Sequence, residues 1–254
     1  MSNDYTIVET CTLPSKGKVY DAPFSPEIEL RSMTVEDEML RMNVTEKPHK
    51  LLSEIIDRCI VGDNKPPISV YDMCLGDYQF LVTRLRMVTY GSEYKVVYYC
   101  KHCGLPSEET LDLGDFAIRE FDENFLKYKT IELPRKKDTI TLRMQTPRIL
   151  DEISSKTQEI RKKNPSYKGD PAFLLSLQYA IDTVNGEKYD VIKMEDYIKK
   201  LPAMDSNYIR QCSERLNNCI GIDTSVEVAC GICGVPNDAS FRFDKEFWMP
   251  SLTV

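Results

Sequence analysis

Strand-like runs of β-branched and apolar residues occupy positions 7–13 and 28–33, and the turn-forming Pro14-Ser15-Lys16-Gly17 follows the first of them. The same plan returns at 130–133 and 139–144, about Pro134-Arg135-Lys136-Lys137-Asp138. Between these pairs the period lengthens. Leu51, Leu52, Ile55, Ile56, Cys59 and Ile60 fall at one- and three-residue steps, which lays one apolar stripe along a helix that Gly62 and Pro66 then punctuate. Tyr78, Leu81, Val82, Leu85 and Val88 mark a second helix. Downstream, Thr146-Pro147 and Asp170-Pro171 each put a capping side chain before a proline at the first helical position. The helices they open run to about Lys163 and about Thr183, and another spans about Ser206 to Cys219.

The chain also repeats a motif. Tyr99-Cys100-Lys101-His102-Cys103-Gly104-Leu105-Pro106-Ser107 and Ala229-Cys230-Gly231-Ile232-Cys233-Gly234-Val235-Pro236-Asn237 both read Cys-x-x-Cys-Gly-apolar-Pro. Strand-like runs flank each copy, 94–99 with 110–113 and 225–229 with 239–243, and acidic and aromatic residues follow both. Upstream, residues 29–34 resemble 141–146, each run ending at a threonine able to cap a helix. These correspondences predict an internal duplication: an α+β fold of two related units, 1–126 and 127–254, each a β-hairpin, helices and a Cys-x-x-Cys hairpin. The spacing between corresponding segments widens toward the cysteines, which puts an insertion in the second unit, about 164–169 and 188–202.

Composition narrows the function classes. Across 254 residues, 33 basic against 40 acidic side chains leave a net charge of −7, which argues against electrostatic capture of nucleic acid or anionic membrane. Arg135-Lys136-Lys137 and Arg161-Lys162-Lys163 read as solvated loop and helix-end positions. No apolar run approaches the roughly 18 residues of a membrane span, and Met1-Ser2-Asn3-Asp4 lacks targeting character. The sequence reads as soluble and untargeted.

Nine cysteines without a leader point to a reducing compartment, where thiols pack or bind metal. Cys11, Cys59, Cys74, Cys212 and Cys219 stand singly and read as small buried side chains. The other four form a constellation. Two thiolates two residues apart, followed by glycine, let the backbone turn so that both sulfurs face one ion, and two such knuckles supply the four soft ligands of a structural zinc site. Cys100, Cys103, Cys230 and Cys233 are those candidate ligands. Far more chain separates the knuckles than a compact zinc ribbon uses, so the site requires the two units to meet. An iron–sulfur cluster, a thioredoxin-type redox pair and plain buried thiols are the rival readings.

No nucleophile, base or open metal position emerges, nor any phosphate-cradling glycine loop, so the sequence reads as non-enzymatic. Glu36-Asp37-Glu38 suits a first helical turn. His49 and His102 read as exposed. Phe247-Trp248-Met249-Pro250-Ser251-Leu252 either docks back onto the second unit or anchors a partner.

Leu13-Pro14-Ser15-Lys16-Gly17-Lys18, Leu30-Arg31-Ser32-Met33-Thr34-Val35-Glu36-Asp37-Glu38, the helix with Ile55, Ile56 and Cys59, and Leu81-Val82-Thr83-Arg84-Leu85-Arg86 together resemble the baseplate hub and hub-assembly proteins of T-even-type contractile-tailed bacteriophages. The resemblance covers mainly residues 5–120 and brings no site residues with it. It implies a virion-assembly role, chaperone-like or as a hub component, in the host cytoplasm or the virion tail baseplate. The implied partners are baseplate hub proteins, with the tape-measure protein a further candidate. Two alternatives stay open: a zinc-ribbon regulator of nucleic acid, which needs basic and aromatic residues on one face, and a thiol-disulfide oxidoreductase, which needs one exposed, low-pKa cysteine.

Overall fold

Strand β1 (Val8–Thr12) pairs antiparallel with β2 (Glu27–Arg31), Cys11 opposite Ile28 and Glu9 opposite Leu30, in a computed structural model that describes residues 6–240 and 246–248. Cys11, Ile28 and Leu30 are buried while Glu27 and Glu29 face solvent, the two-residue period of a half-buried sheet. Thr34 then opens α1 (Val35–Arg41) with a reciprocal capping box, in which Asp37 accepts from the Thr34 backbone N–H at 3.0 Å. In α2 (Pro48–Cys59) the predicted stripe buries Ile55, Ile56 and Cys59. The chain leaves this helix directly into β3 (Ile60–Val61), which pairs with β2 and gives the order β1-β2-β3. Next come α3 (Leu75–Tyr90) and a ribbon of β4 (Glu93–Tyr99) with β5 (Pro106–Asp112), followed by β6 (Ile118–Arg119).

The second half follows with α4 (Phe125–Lys129), β7 (Thr130–Glu132), β8 (Thr139–Leu142), α5 (Pro147–Lys163), α6 (Pro171–Ala180) and β9 (Ile181–Val184). These strands again pair in sequence order, β7-β8-β9, with the two helices between the second and third strands. Then come α7 (Val191–Lys199), α8 (Ala203–Asn218), β10 (Gly221–Ile222) and a second ribbon of β11 (Ser225–Ala229) with β12 (Pro236–Ser240). The architecture is thus mixed α+β, with small antiparallel sheets and eight α-helices among the described residues.

Several boundaries move from their expected places. The helix opened by Asp170 stops at Ala180, three residues short of Thr183, because Ile181–Val184 joins the sheet beside β8. Helix α8 begins at Ala203, ahead of Ser206. Within the stretch read as an insertion, α7 forms on an Asp190 cap whose side chain accepts from the Lys193 N–H. Residues 241–243 of the expected last strand lie outside the described residues.

Buried side chains form two clusters. One gathers residues from Cys11 to Leu113 with Ile222, Phe247 and Trp248, and the other gathers residues from Phe125 to Ile220. The C-terminal aromatics therefore dock on the first core rather than the second.

Buried aspartates tie distant segments together. Asp77, third residue of α3, accepts from the Ser15 N–H at 2.9 Å and the Ser15 hydroxyl at 2.5 Å. Asp205, third residue of α8, accepts from the Arg135 and Lys136 N–H groups at 2.8 and 2.9 Å. Each carboxylate fixes a turn between paired strands. Asp151 of α5 reaches the other half: its oxygens lie 2.8 Å from the Lys50 N–H, 3.4 Å from the His49 N–H and 3.2 Å from the Tyr71 hydroxyl. It satisfies donors that the start of α2 leaves without intrahelical partners. His49 is accordingly half-buried, its Nδ1 3.2 Å from the Tyr78 hydroxyl, and not the exposed side chain expected. Asp151→Ala is expected to cost about 2–3 kcal/mol in urea unfolding, because buried donors lose their acceptor; Asp151→Asn should recover part of it.

Asp37 sets a pH dependence. Burial alone pushes its carboxyl up, but hydrogen bonds from Arg31 at 2.8 Å and Thr34, with Arg58 at 3.0 Å, hold it below the usual carboxylate range. A folded pKa below the unfolded value of about 3.9 stabilises the fold above that value, and the contribution is lost as pH falls through the folded pKa. The stability gap between the native chain and Asp37→Asn should therefore be full near pH 6 and shrink below about pH 4, read from denaturant midpoints at each pH.

Candidate metal centre

The two cysteine motifs build the same loop. After β4, the Cys100 N–H donates to the Leu105 carbonyl at 3.0 Å and the Gly104 N–H to the Cys100 carbonyl at 2.9 Å. After β11, the Cys230 N–H donates to the Val235 carbonyl at 3.0 Å and the Gly234 N–H to the Cys230 carbonyl at 2.8 Å. Both bends depend on backbone of left-handed twist, φ +70° at Gly104 and +72° at Gly234, which a side chain disfavours. Such a turn aims backbone N–H groups at the first sulfur of each pair. His102 and Cys103 N–H lie 3.4 and 3.5 Å from Cys100 Sγ, and Ile232 N–H lies 3.5 Å from Cys230 Sγ.

The ribbons bring the loops face to face. All four sulfurs lie within 4.8 Å of one another, with Cys100 to Cys233 at 3.7 Å and Cys103 to Cys230 at 3.9 Å. The close pairs cross between hairpins. A tetrahedron of sulfurs around an ion with bonds of about 2.3 Å has edges of about 3.8 Å, so the donor set and its spacing fit a metal ion. The expectation that Cys100, Cys103, Cys230 and Cys233 converge matches this geometry.

Two polar residues to which the sequence reading assigns no role hold the loops in register. Ser107 and Asn237 occupy the same place, one residue beyond the proline of each motif. The Ser107 hydroxyl accepts from the Gly231 N–H at 3.1 Å, and the Asn237 carbonyl oxygen accepts from the Lys101 N–H at 2.9 Å. Asn237 also donates to Cys100 Sγ at 3.4 Å, and the Tyr98 hydroxyl donates to the Ala229 carbonyl at 3.2 Å. Both are buried small polar residues, and nothing beside them in the sequence signals that burial.

Electrostatics divides the four sulfurs. The N–H groups of Cys103 and His102 lower the Cys100 thiol to about 6, and those of Cys233 and Ile232 lower Cys230. Donors directed at sulfur favour the thiolate, the form that binds metal. Although the Val235 N–H pulls Cys233 down, desolvation and the neighbouring sulfurs push it up to about 12. One cation among the sulfurs would relieve that crowding. Cys100 and Cys230 are buried, Cys103 is half-buried and Cys233 exposed.

The remaining cysteines do different work. Cys11 and Cys59 are buried and their thiols are pushed up to about 12, chiefly by desolvation; burial likewise raises Cys74. They are packing residues, as expected, and so is buried Cys212, whereas Cys219 is only half-buried. His102 is exposed at the loop tip. Each Cys-x-x-Cys pair sits between strands and not at a helix N-terminus, the position that activates a thioredoxin-type nucleophile.

Comparison with known proteins gives one finding. Residues 5–247 match a family model described as T4 bacteriophage base plate protein. No curated protein and no solved structure matches the chain.

Proposed function

The chain belongs to the T4 bacteriophage base plate protein family, and from that premise we propose that it is a non-enzymatic hub assembly factor or hub component of the tail baseplate, its shape fixed by a structural zinc ion. Cys100, Cys103, Cys230 and Cys233 would hold the ion. The observation that carries the zinc reading is the crossing of close sulfur pairs, 3.7 and 3.9 Å apart, between hairpins from opposite halves of the chain. Four thiolates close the coordination shell, which suits a metal that contributes folding energy and leaves no position for substrate.

Duplication is part of the same reading, with units at 1–126 and 127–254. Its supports are the matching sheet orders, the threonine caps Thr34 and Thr146, the leucine–proline turns after Leu13 and Leu133, and the paired aspartates Asp77 and Asp205. An ion between the units would fix their relative placement and reduce the ordering cost of docking onto other baseplate proteins. Those partners are the hub proteins, with the tape-measure protein a further candidate, met in the host cytoplasm during assembly and retained or released at the virion tail. No helix among the described residues is long and apolar enough to cross a membrane.

Affinity purification from infected cells, combined with metal analysis, tests the proposal. Stoichiometric zinc together with hub proteins is the expected result. Metal-free protein bound to DNA, with a salt-sensitive affinity, would overturn it.

A further inference from the structure

We infer that metal occupancy of the four-cysteine site controls the seating of Phe247 and Trp248 in the first core; this rests on the zinc reading above. Phe247 is 0% and Trp248 5% exposed, inside the cluster built on β1, β2, α2 and α3. The Phe247 ring lies 5.5 Å from that of Tyr94, and its carbonyl accepts from Arg86 Nε at 3.3 Å. The same guanidinium donates to the Gly91 carbonyl and, at 2.7 Å, to the Glu93 carbonyl. Glu93 and Tyr94 are the root of β4, the strand that ends at Cys100. By covalent connection, Phe247 follows β12, the strand that leaves Cys233. The aromatic pair is therefore gripped by the base of one metal hairpin and tethered to the other.

That tether is only as firm as the second ribbon. A two-stranded ribbon is marginal by itself in water, and among the described residues β11 and β12 pair with no third strand. Apart from an ion, the polar contacts that join this ribbon to its counterpart among the described residues are the hydrogen bonds made by Ser107, Asn237 and Tyr98 and an exposed Lys101–Asp238 ion pair at 4.0 Å. With the ion gone, the sulfurs lose their common partner and the ribbon loses its clasp. Among the described residues, the nearest paired strand before Phe247 then moves from β12, ending at Ser240, to β10, ending at Ile222, so the intervening chain lengthens from roughly 7 residues to roughly 25. Closure entropy scaling as (3/2) ln n turns that into about a sevenfold rise in the unseated population.

Chymotrypsin digestion of the full chain tests this, with cleavage sites read by mass spectrometry in zinc-loaded and chelated samples of measured metal content. Where opening is fast, cleavage tracks the open population. Cleavage beside Phe247 and Trp248 should accelerate about sevenfold on chelation and slow again on adding zinc, while cleavage at Phe80, buried in the same core, stays slow. Asn237→Ala, which keeps all four cysteines, should accelerate it in the zinc-loaded protein. Zinc loss without faster cleavage at Phe247 would overturn the inference and leave the zinc reading standing. Equal acceleration at Phe80 would overturn it too, as general unfolding. A chain that takes up no zinc would remove both readings.

Discussion

Replacing Cys230 by serine is expected to abolish stoichiometric metal binding and lower stability by about 4 kcal/mol, a fall in Tm of roughly 10 °C for a chain of this size. Cys230 is buried and close to Cys103, so its loss leaves three soft donors and a neutral hydroxyl that binds the ion poorly. Peptides that fold only around zinc draw more than this from the metal, about 10–16 kcal/mol. Here two hydrophobic clusters carry most of the fold, so the proposed ion would act on the placement of the ribbons and of the aromatic pair tethered to them. Cys212→Ser provides the contrast. It is equally buried but lies in the second core, so it should cost about 1–2 kcal/mol and leave metal content untouched. Elemental analysis beside calorimetry separates the two cases, and a Cys230→Ser protein with full metal and native Tm would refute the site.

The second large effect belongs to a pair of glycines far from the cysteines. A methyl group on Gly76, in the first turn of α3, would lie 2.2 Å from the Ile220 carbonyl oxygen, and a Cβ on Gly221 would meet Gly76 Cα at 2.7 Å. Both obstacles are backbone and cannot swing aside. Their contact lets α3 of the first core touch β10, where the chain leaves α8, so the two halves approach more closely than side chains would allow. Gly76→Ala should therefore cost about 3 kcal/mol or more. Gly104→Ala meets open space but a positive φ, and should cost only about 1–2 kcal/mol. Urea midpoints decide the order. A Gly76→Ala protein within about 0.5 kcal/mol of the native chain would show that the close approach carries no weight.

Which features could be read from the residues depends on the range of the forces that make them. Caps are local, and Thr34, Thr146 and Asp170 open helices where expected. The knuckles are also local: the glycine that permits each turn stands next to the cysteine it serves, and two identical loops carry a strong hint that they meet. Strands β3 and β9 escaped because each continues the apolar run of the preceding helix without a break, and Ile60 fits the helical stripe as well as the sheet. Only pairing with β2 or β8 decides between them. Ser107, Asn237 and the aspartates 77, 151 and 205 escaped for a different reason. Each is an ordinary polar residue whose partner lies far away along the chain, and nothing nearby marks it as buried. The sequence docks the C-terminal aromatics on the second unit or on a partner, whereas they sit in the first core, a destination that depends on Arg86, a cation that the sequence alone does not show to be buried.

The reciprocal rungs made by Ser107 and Asn237 are not equivalent, and the difference gives the centre a front and a back. Asn237 adds a side-chain donor to the sulfur of Cys100, whereas Ser107 touches only backbone, and of the four cysteines Cys233 is the exposed one. A competing chelator arriving from water meets Cys233 first and the well-solvated-against inner sulfurs last. Exchange of a bound ion would consequently proceed through a single doorway, with a rate set by how readily that outermost bond opens.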